Sequence, residues 1–190
     1  MLESLLTEIR QCTVCEPHLP LGANPVIRAH SAAKILIIGQ APGTKVHNTS
    51  IPWNDASGER LRQWLGLDRE AFYCQENIAI MPMGLCYPGK GRSGDLPPRK
   101  ECAPLWHAKV LEQLPNRQLT LLIGQYAQHY YLPDKPATLT ETVQQWQRWA
   151  PSVLPLPHPS PRNTLWLKNH PWFEQDVVPY LRQRVKQALT

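Results

Sequence analysis

No stretch of this chain approaches the roughly 20 consecutive apolar residues needed for a bilayer-spanning helix, so a helical membrane span is excluded. The first ten residues carry Glu3 and Glu8 in an amphipathic pattern and lack the continuous apolar core of a secretory leader, so none is expected. Internal repeats and low-complexity tracts are missing too, and no second architecture is needed. Cysteine is scarce, with five residues. In the cytoplasmic location expected here thiols stay reduced, and clustered cysteines more often bind metal than pair as disulfides. Acidic side chains are outnumbered, 15 against 20 Lys and Arg, giving a net charge of +5. That balance suits a phosphate-bearing partner without demanding one.

What is present is enough apolar material, 42% of 190 residues, for one core, and we expect a single domain over residues 1–190. A monomer is expected, and nothing in the sequence points to a protein partner. Twenty prolines imply defined loops between fairly short elements.

Leu2, Leu5, Leu6 and Ile9 recur at helical spacing and predict an amphipathic first helix. After a loop to about Ala33, residues 34–39, KILIIG, form a short apolar run closed by glycine, the pattern of a buried parallel strand. Further strands are predicted over 77–83, 119–124 and 153–156, the last restricted to an edge or a strand end at Pro155, which has no N–H for a ladder. Helices are predicted over 57–67, 101–114, 126–132 and 140–149, and a last one from about Pro171 towards Leu189 with a kink at Pro179. This alternation predicts an α/β fold of three layers, α/β/α, around a central, mostly parallel four-stranded sheet.

Ligands of open α/β sheets bind beyond the carboxyl ends of strands. Two proline-stiffened loops occupy such positions. One is GQAPG, Gly39 to Gly43, and the other is HPSPRN, His158 to Asn163. Gly39 and Gly43 permit close backbone approach to a ligand, Ser160 offers a phosphate contact, and Gln40 and His158 can converge on one pocket.

In these residues the chain resembles the uracil-DNA glycosylase superfamily, whose first motif has the form G-(Q/E/I/L)-x-P and whose last begins H-P. It is most similar to the iron–sulfur, family 4-like members, whose first motif is GEAPG and whose following PFVGRAG segment supplies a base-stacking aromatic. In IPWNDASG here, Trp53 takes the aromatic position and Gly58 the final glycine.

Cys12 and Cys15 form a CxxC pair, and Cys86 and Cys102 follow much later. Four thiolates can hold zinc or an iron–sulfur cluster, and the spacing does not distinguish them. The resemblance implies a [4Fe–4S] cluster on Cys12, Cys15, Cys86 and Cys102, with zinc as the alternative, because CYPGKGRSGDLPPRKEC follows the family's cysteine loop. Cys74 is left over as a plain buried thiol. A cluster would pin the loop bearing Lys90, Arg92, Arg99 and Lys100 as a phosphate-binding surface.

The resemblance further implies a DNA glycosylase that hydrolyses the N-glycosidic bond of a flipped-out damaged base. Gly39, Gln40, Ala41 and Trp53 would bind the base, and His158 would stabilise the leaving base. Ser160, Arg162, Lys90 and Arg92 would hold DNA. Ala41 cannot orient water, so Gln40 or Asp55 is expected to do so. The family's base-reading asparagine is replaced by Pro82, four residues before Cys86. The base excised is therefore not implied, and a catalytically weak nucleic-acid-binding relative is the alternative.

Overall fold

A computed structural model describes residues 1–190. The main sheet contains β1 (Ile35–Ile38), β2 (Ile78–Ile80), β5 (Leu119–Ile123) and β6 (Val153–Leu156) in the order β2-β1-β5-β6, every neighbouring pair parallel. A separate two-stranded antiparallel hairpin, β3 (Lys90–Gly91) and β4 (Gly94–Asp95), lies between the third and fourth of the predicted metal cysteines.

The strands are short and apolar because both faces of the sheet are covered. In β1, Ile35 and Ile37 face one core with Leu61, Trp64, Leu65, Phe173 and Leu181. Leu36 and Ile38 face the other core with Leu6, Ile9, Trp106 and Val110. Two opposed helical layers follow from that alternation. The helices are α1 (Leu2–Arg10), α2 (Thr44–Thr49), α3 (Ala56–Leu65), α4 (Arg69–Phe72), α5 (Cys102–Glu112), α6 (Gln125–Tyr131), α7 (Leu139–Gln144), α8 (Thr164–Asn169) and α9 (Val178–Leu189).

Both rims of the sheet are blunted. Arg28 bridges Ile80 of β2 antiparallel, its N–H donating to the Ile80 carbonyl at 3.0 Å and its carbonyl accepting from the Ile80 N–H at 2.7 Å. On β6 the alternate residues Ser152 and Leu156 accept from β5, so the missing N–H of Pro155 falls on the open side. Buried Gln128 on α6 clamps the strand ends, donating to the carbonyls of Leu122 at 3.1 Å and Leu156 at 2.9 Å. The strand order switches sides at β1, β2 lying on one flank and β5 on the other, which opens a crevice above the carboxyl ends of β1 and β5.

The C-terminal segment departs from expectation. Pro179 does not kink one long helix; a wide π turn over Phe173–Val177 precedes it, and Pro179 sits in the first turn of α9. Proline lacks the N–H that an interior helical position must donate, and a fresh helix start removes that demand. The short helices α2 and α8 carry one buried residue each, Val46 and Leu167, which is too little periodicity to signal a helix.

Candidate active site

Two prolines fix the HPSPRN turn, and the backbone then arranges its own polar groups. The N–H of Ser160 donates to Nδ1 of His158 at 3.2 Å, so that nitrogen is the acceptor and Nε2 carries the ring proton. Ser160 Oγ accepts from the Arg162 N–H at 3.1 Å, and Asn163 donates to the His158 carbonyl at 2.7 Å. Arg60 of α3 braces the same turn through the Ser160 carbonyl at 3.2 Å and the Thr164 hydroxyl at 3.3 Å. Removal from water holds His158 below the usual histidine range, with the nearby Asp55 charge acting the other way.

Trp53 occupies left-handed backbone space, φ 60°, where a bulky side chain costs on the order of 1–3 kcal/mol. Its surroundings impose that geometry. Arg62, almost fully buried, donates to the Trp53 carbonyl at 3.1 Å, and the Tyr73 hydroxyl donates to the Pro52 carbonyl at 2.7 Å. A Cβ on Gly58 would lie 1.7 Å from the Trp53 carbonyl oxygen, and one on Gly39 would lie 2.8 Å from the indole. Both glycines are therefore needed for close approach to Trp53. The indole in turn lies 5.6 Å from the His158 ring, centroid to centroid, at 35°. Asp55 caps α3, one carboxylate oxygen accepting from the Gly58 N–H at 2.8 Å.

These groups surround one open cavity of about 380 Å³. Gly39, Gln40, Ala41, Trp53, Asp55, His158, Ser160 and Arg162, all singled out in the sequence, line it together. Lys90 and Arg92 do not; they sit on the hairpin whose Ser93, Gly94 and Asp95 form part of the rim. Pro82 lines the cavity as an apolar group, because its carbonyl accepts from Nε2 of the buried His107 at 3.0 Å.

A family model described as the uracil DNA glycosylase superfamily matches residues 28–182, a span that takes in every cavity-lining residue except Val26. The chain belongs to the uracil-DNA glycosylase superfamily. It is also 22% identical over 162 residues to a Type-4 uracil-DNA glycosylase of Thermotoga maritima, covering 84% of this chain and 82% of the relative. Membership supports a DNA-glycosylase-like function, with DNA as partner, for the crevice described above. No helix is long and apolar enough to cross a membrane.

In this superfamily member Cys12, Cys15, Cys86 and Cys102 line a common cavity with Leu19, Leu85 and Trp106, and Cys74 stands apart from it. No three His, Cys, Asp or Glu side chains gather closely enough to hold one metal ion. Burial, with a smaller contribution from the neighbouring cysteines, pushes the Cys86 thiol up to about 11 and the Cys102 thiol up to about 12. Arg99 was expected in a phosphate-binding loop. It lines the cysteine cavity and pairs with Glu101 at 2.7 Å, with its side chain still partly exposed beside Lys100.

Sequence reasoning missed Asp95, Asn163, Arg60, Arg62 and His107. Asp95 had a faint signal, an acid beside glycine inside an otherwise basic loop. The others act through backbone carbonyls, which leave no mark in a sequence.

Proposed function

We propose that this protein hydrolyses the N-glycosidic bond of a flipped-out damaged base, uracil or another deaminated base, in DNA. One observation carries the reading: Gln40, Trp53 and His158, from three separate segments, line a single cavity at the sheet's carboxyl end. Base extrusion costs a few kcal/mol of stacking and pairing, which contacts to the DNA backbone must offset. Ser160 and Arg162 at the rim, with the exposed Lys90 and Arg92 on the adjoining hairpin, are placed to supply them. Arg162 fills the gap or grips the flanking phosphate.

Inside the cavity the backbone of Gly39, Gln40 and Ala41 faces the base and Trp53 stacks on it. The Nε2 proton of His158 is directed to the oxygen of the leaving base as negative charge develops, a stabilisation worth about 3 kcal/mol in comparable sites. A neutral imidazole suffices, since the Ser160 amide keeps Nδ1 unprotonated. Gln40 or Asp55 orients the attacking water.

The thiols of Cys12, Cys15, Cys86 and Cys102 suit a [4Fe–4S] cluster. They line one largely apolar cavity, and four thiolates are the donor set such a cluster takes, with zinc as the alternative. Bound there, the cluster would serve as a structural pin. The residues themselves must give up their thiol protons to bind it.

A catalytically weak relative is favoured by one feature. Pro82 turns its carbonyl to His107 and offers no hydrogen bond to a base edge. A panel of duplexes carrying single uracil, hypoxanthine or xanthine lesions, followed by alkaline strand cleavage, decides between the two. Cleavage at one lesion supports the enzyme, and intact strands throughout overturn it.

A further inference from the structure

We propose that Asp95 is the carboxylate that orients and deprotonates the attacking water. The inference rests on the base-removal reading above and replaces Gln40 and Asp55 in that one role. Two carboxylates line the cavity, Asp55 and Asp95. Asp55 already spends an oxygen on the Gly58 amide as the cap of α3. The Asp95 carboxylate accepts no hydrogen bond and forms no ion pair. Its carboxylate reaches the GQAPG turn, one oxygen lying 3.6 Å from where a Cβ on Gly43 would stand. Ala41 on that turn leaves room for a water and offers nothing to hold it.

The hairpin aims this side chain. Gly94, at φ +100°, lets the Arg162 guanidinium approach its backbone, where a Cβ would be 2.8 Å from a guanidinium nitrogen. Lys90 stands in register with Asp95 across the two strands. The carboxylate thus feels the charges of Arg162 and Lys90, and its own charge reaches the Tyr87 phenol. Partial burial of this otherwise exposed residue pushes its carboxyl up from the usual range while the two cations act the other way, which makes it more basic than a free aspartate.

In the step, the water oxygen bonds to C1′ of the sugar as the C1′–N bond breaks. The bonding pair departs with the base, whose oxygen His158 holds, and the water proton passes to Asp95. The base anion takes a proton from solvent, and Asp95 releases its own.

The test uses Asp95→Asn in the full chain, with its melting temperature as a check on folding. Single-turnover excision should fall about 100-fold or more, while affinity for a duplex bearing a neutral tetrahydrofuran abasic analogue stays within about twofold. Affinity for a duplex bearing a cationic pyrrolidine at that site should fall about tenfold, because the carboxylate faces the sugar cation. Wild-type excision by the variant overturns the inference. If the unmodified protein cleaves none of the lesions, the glycosylase reading fails by itself. The pyrrolidine pair then decides: selective loss of cation affinity supports the placement of Asp95, and equal affinities overturn it.

Discussion

The backbone N–H of Ser160 donates to Nδ1 of His158 and so sets which nitrogen of that ring faces the cavity with a proton. Protonating Nδ1 would break this bond, and burial already opposes the charged form. Activity should therefore persist as pH falls past 6.5, the ordinary histidine value, and decline only below it. A pH series of single-turnover rates checks this; a loss centred at or above the ordinary value would contradict it. His158→Ala should reduce excision about 100-fold with DNA affinity little changed.

Gly58 has no room for a side chain, since the added carbon would meet the Trp53 carbonyl. Gly58→Ala should destabilise the protein by about 3 kcal/mol, read as a fall in the denaturant midpoint. Gly39→Ala meets only the indole edge and should disturb the pocket more than the fold. Trp53→Ala should lower excision while leaving duplex affinity nearly intact, measured side by side with His158→Ala.

Arg162 and the DNA backbone form the next test. Arg162→Ala should weaken binding and reduce the slope of log affinity against log salt by about one. An unchanged slope would remove this residue from the phosphate contacts.

His107 is held to about 4 by burial, far below its unfolded value of 6.5. Between those two values the unfolded chain binds a proton that the folded chain refuses. The contribution is therefore complete above the unfolded value and drains away as pH falls towards the folded one, on the order of 3 kcal/mol in total. Melting temperatures measured at neutral and mildly acidic pH should show that decline, and His107→Gln should flatten it.

Protein purified without oxygen should be brown with broad absorbance near ~400 nm if the four thiols hold an iron–sulfur cluster. Cys86→Ser or Cys102→Ser should lose the colour and lower the melting temperature, while Cys74→Ser should keep both. A colourless, zinc-bearing preparation would overturn that assignment.

The four strands and the meeting of the two proline turns were legible because apolar runs and Gly-Pro loops report local backbone demands directly, whereas Pro155 allowed either an edge or a strand end. Trp53 was legible as an aromatic of the right kind, but its left-handed backbone was not, since that geometry is forced by Arg62, Tyr73 and Gly58 from other segments. Charge alone did not show that Arg99 pairs with Glu101 and borders the cysteine cavity, contacts that depend on the folded loop. Pro82 was recognised as a departure from the family pattern. That its carbonyl is engaged by His107 depends on a packing contact between residues 25 apart.

Both borders of the sheet discourage extension by a passing chain. On one side Arg28 already occupies the bonding positions of Ile80, and on the other Pro155 presents a gap where a template needs a donor. Concentrated solutions of this protein should consequently resist strand-by-strand growth into fibres even though its core strands are almost wholly aliphatic.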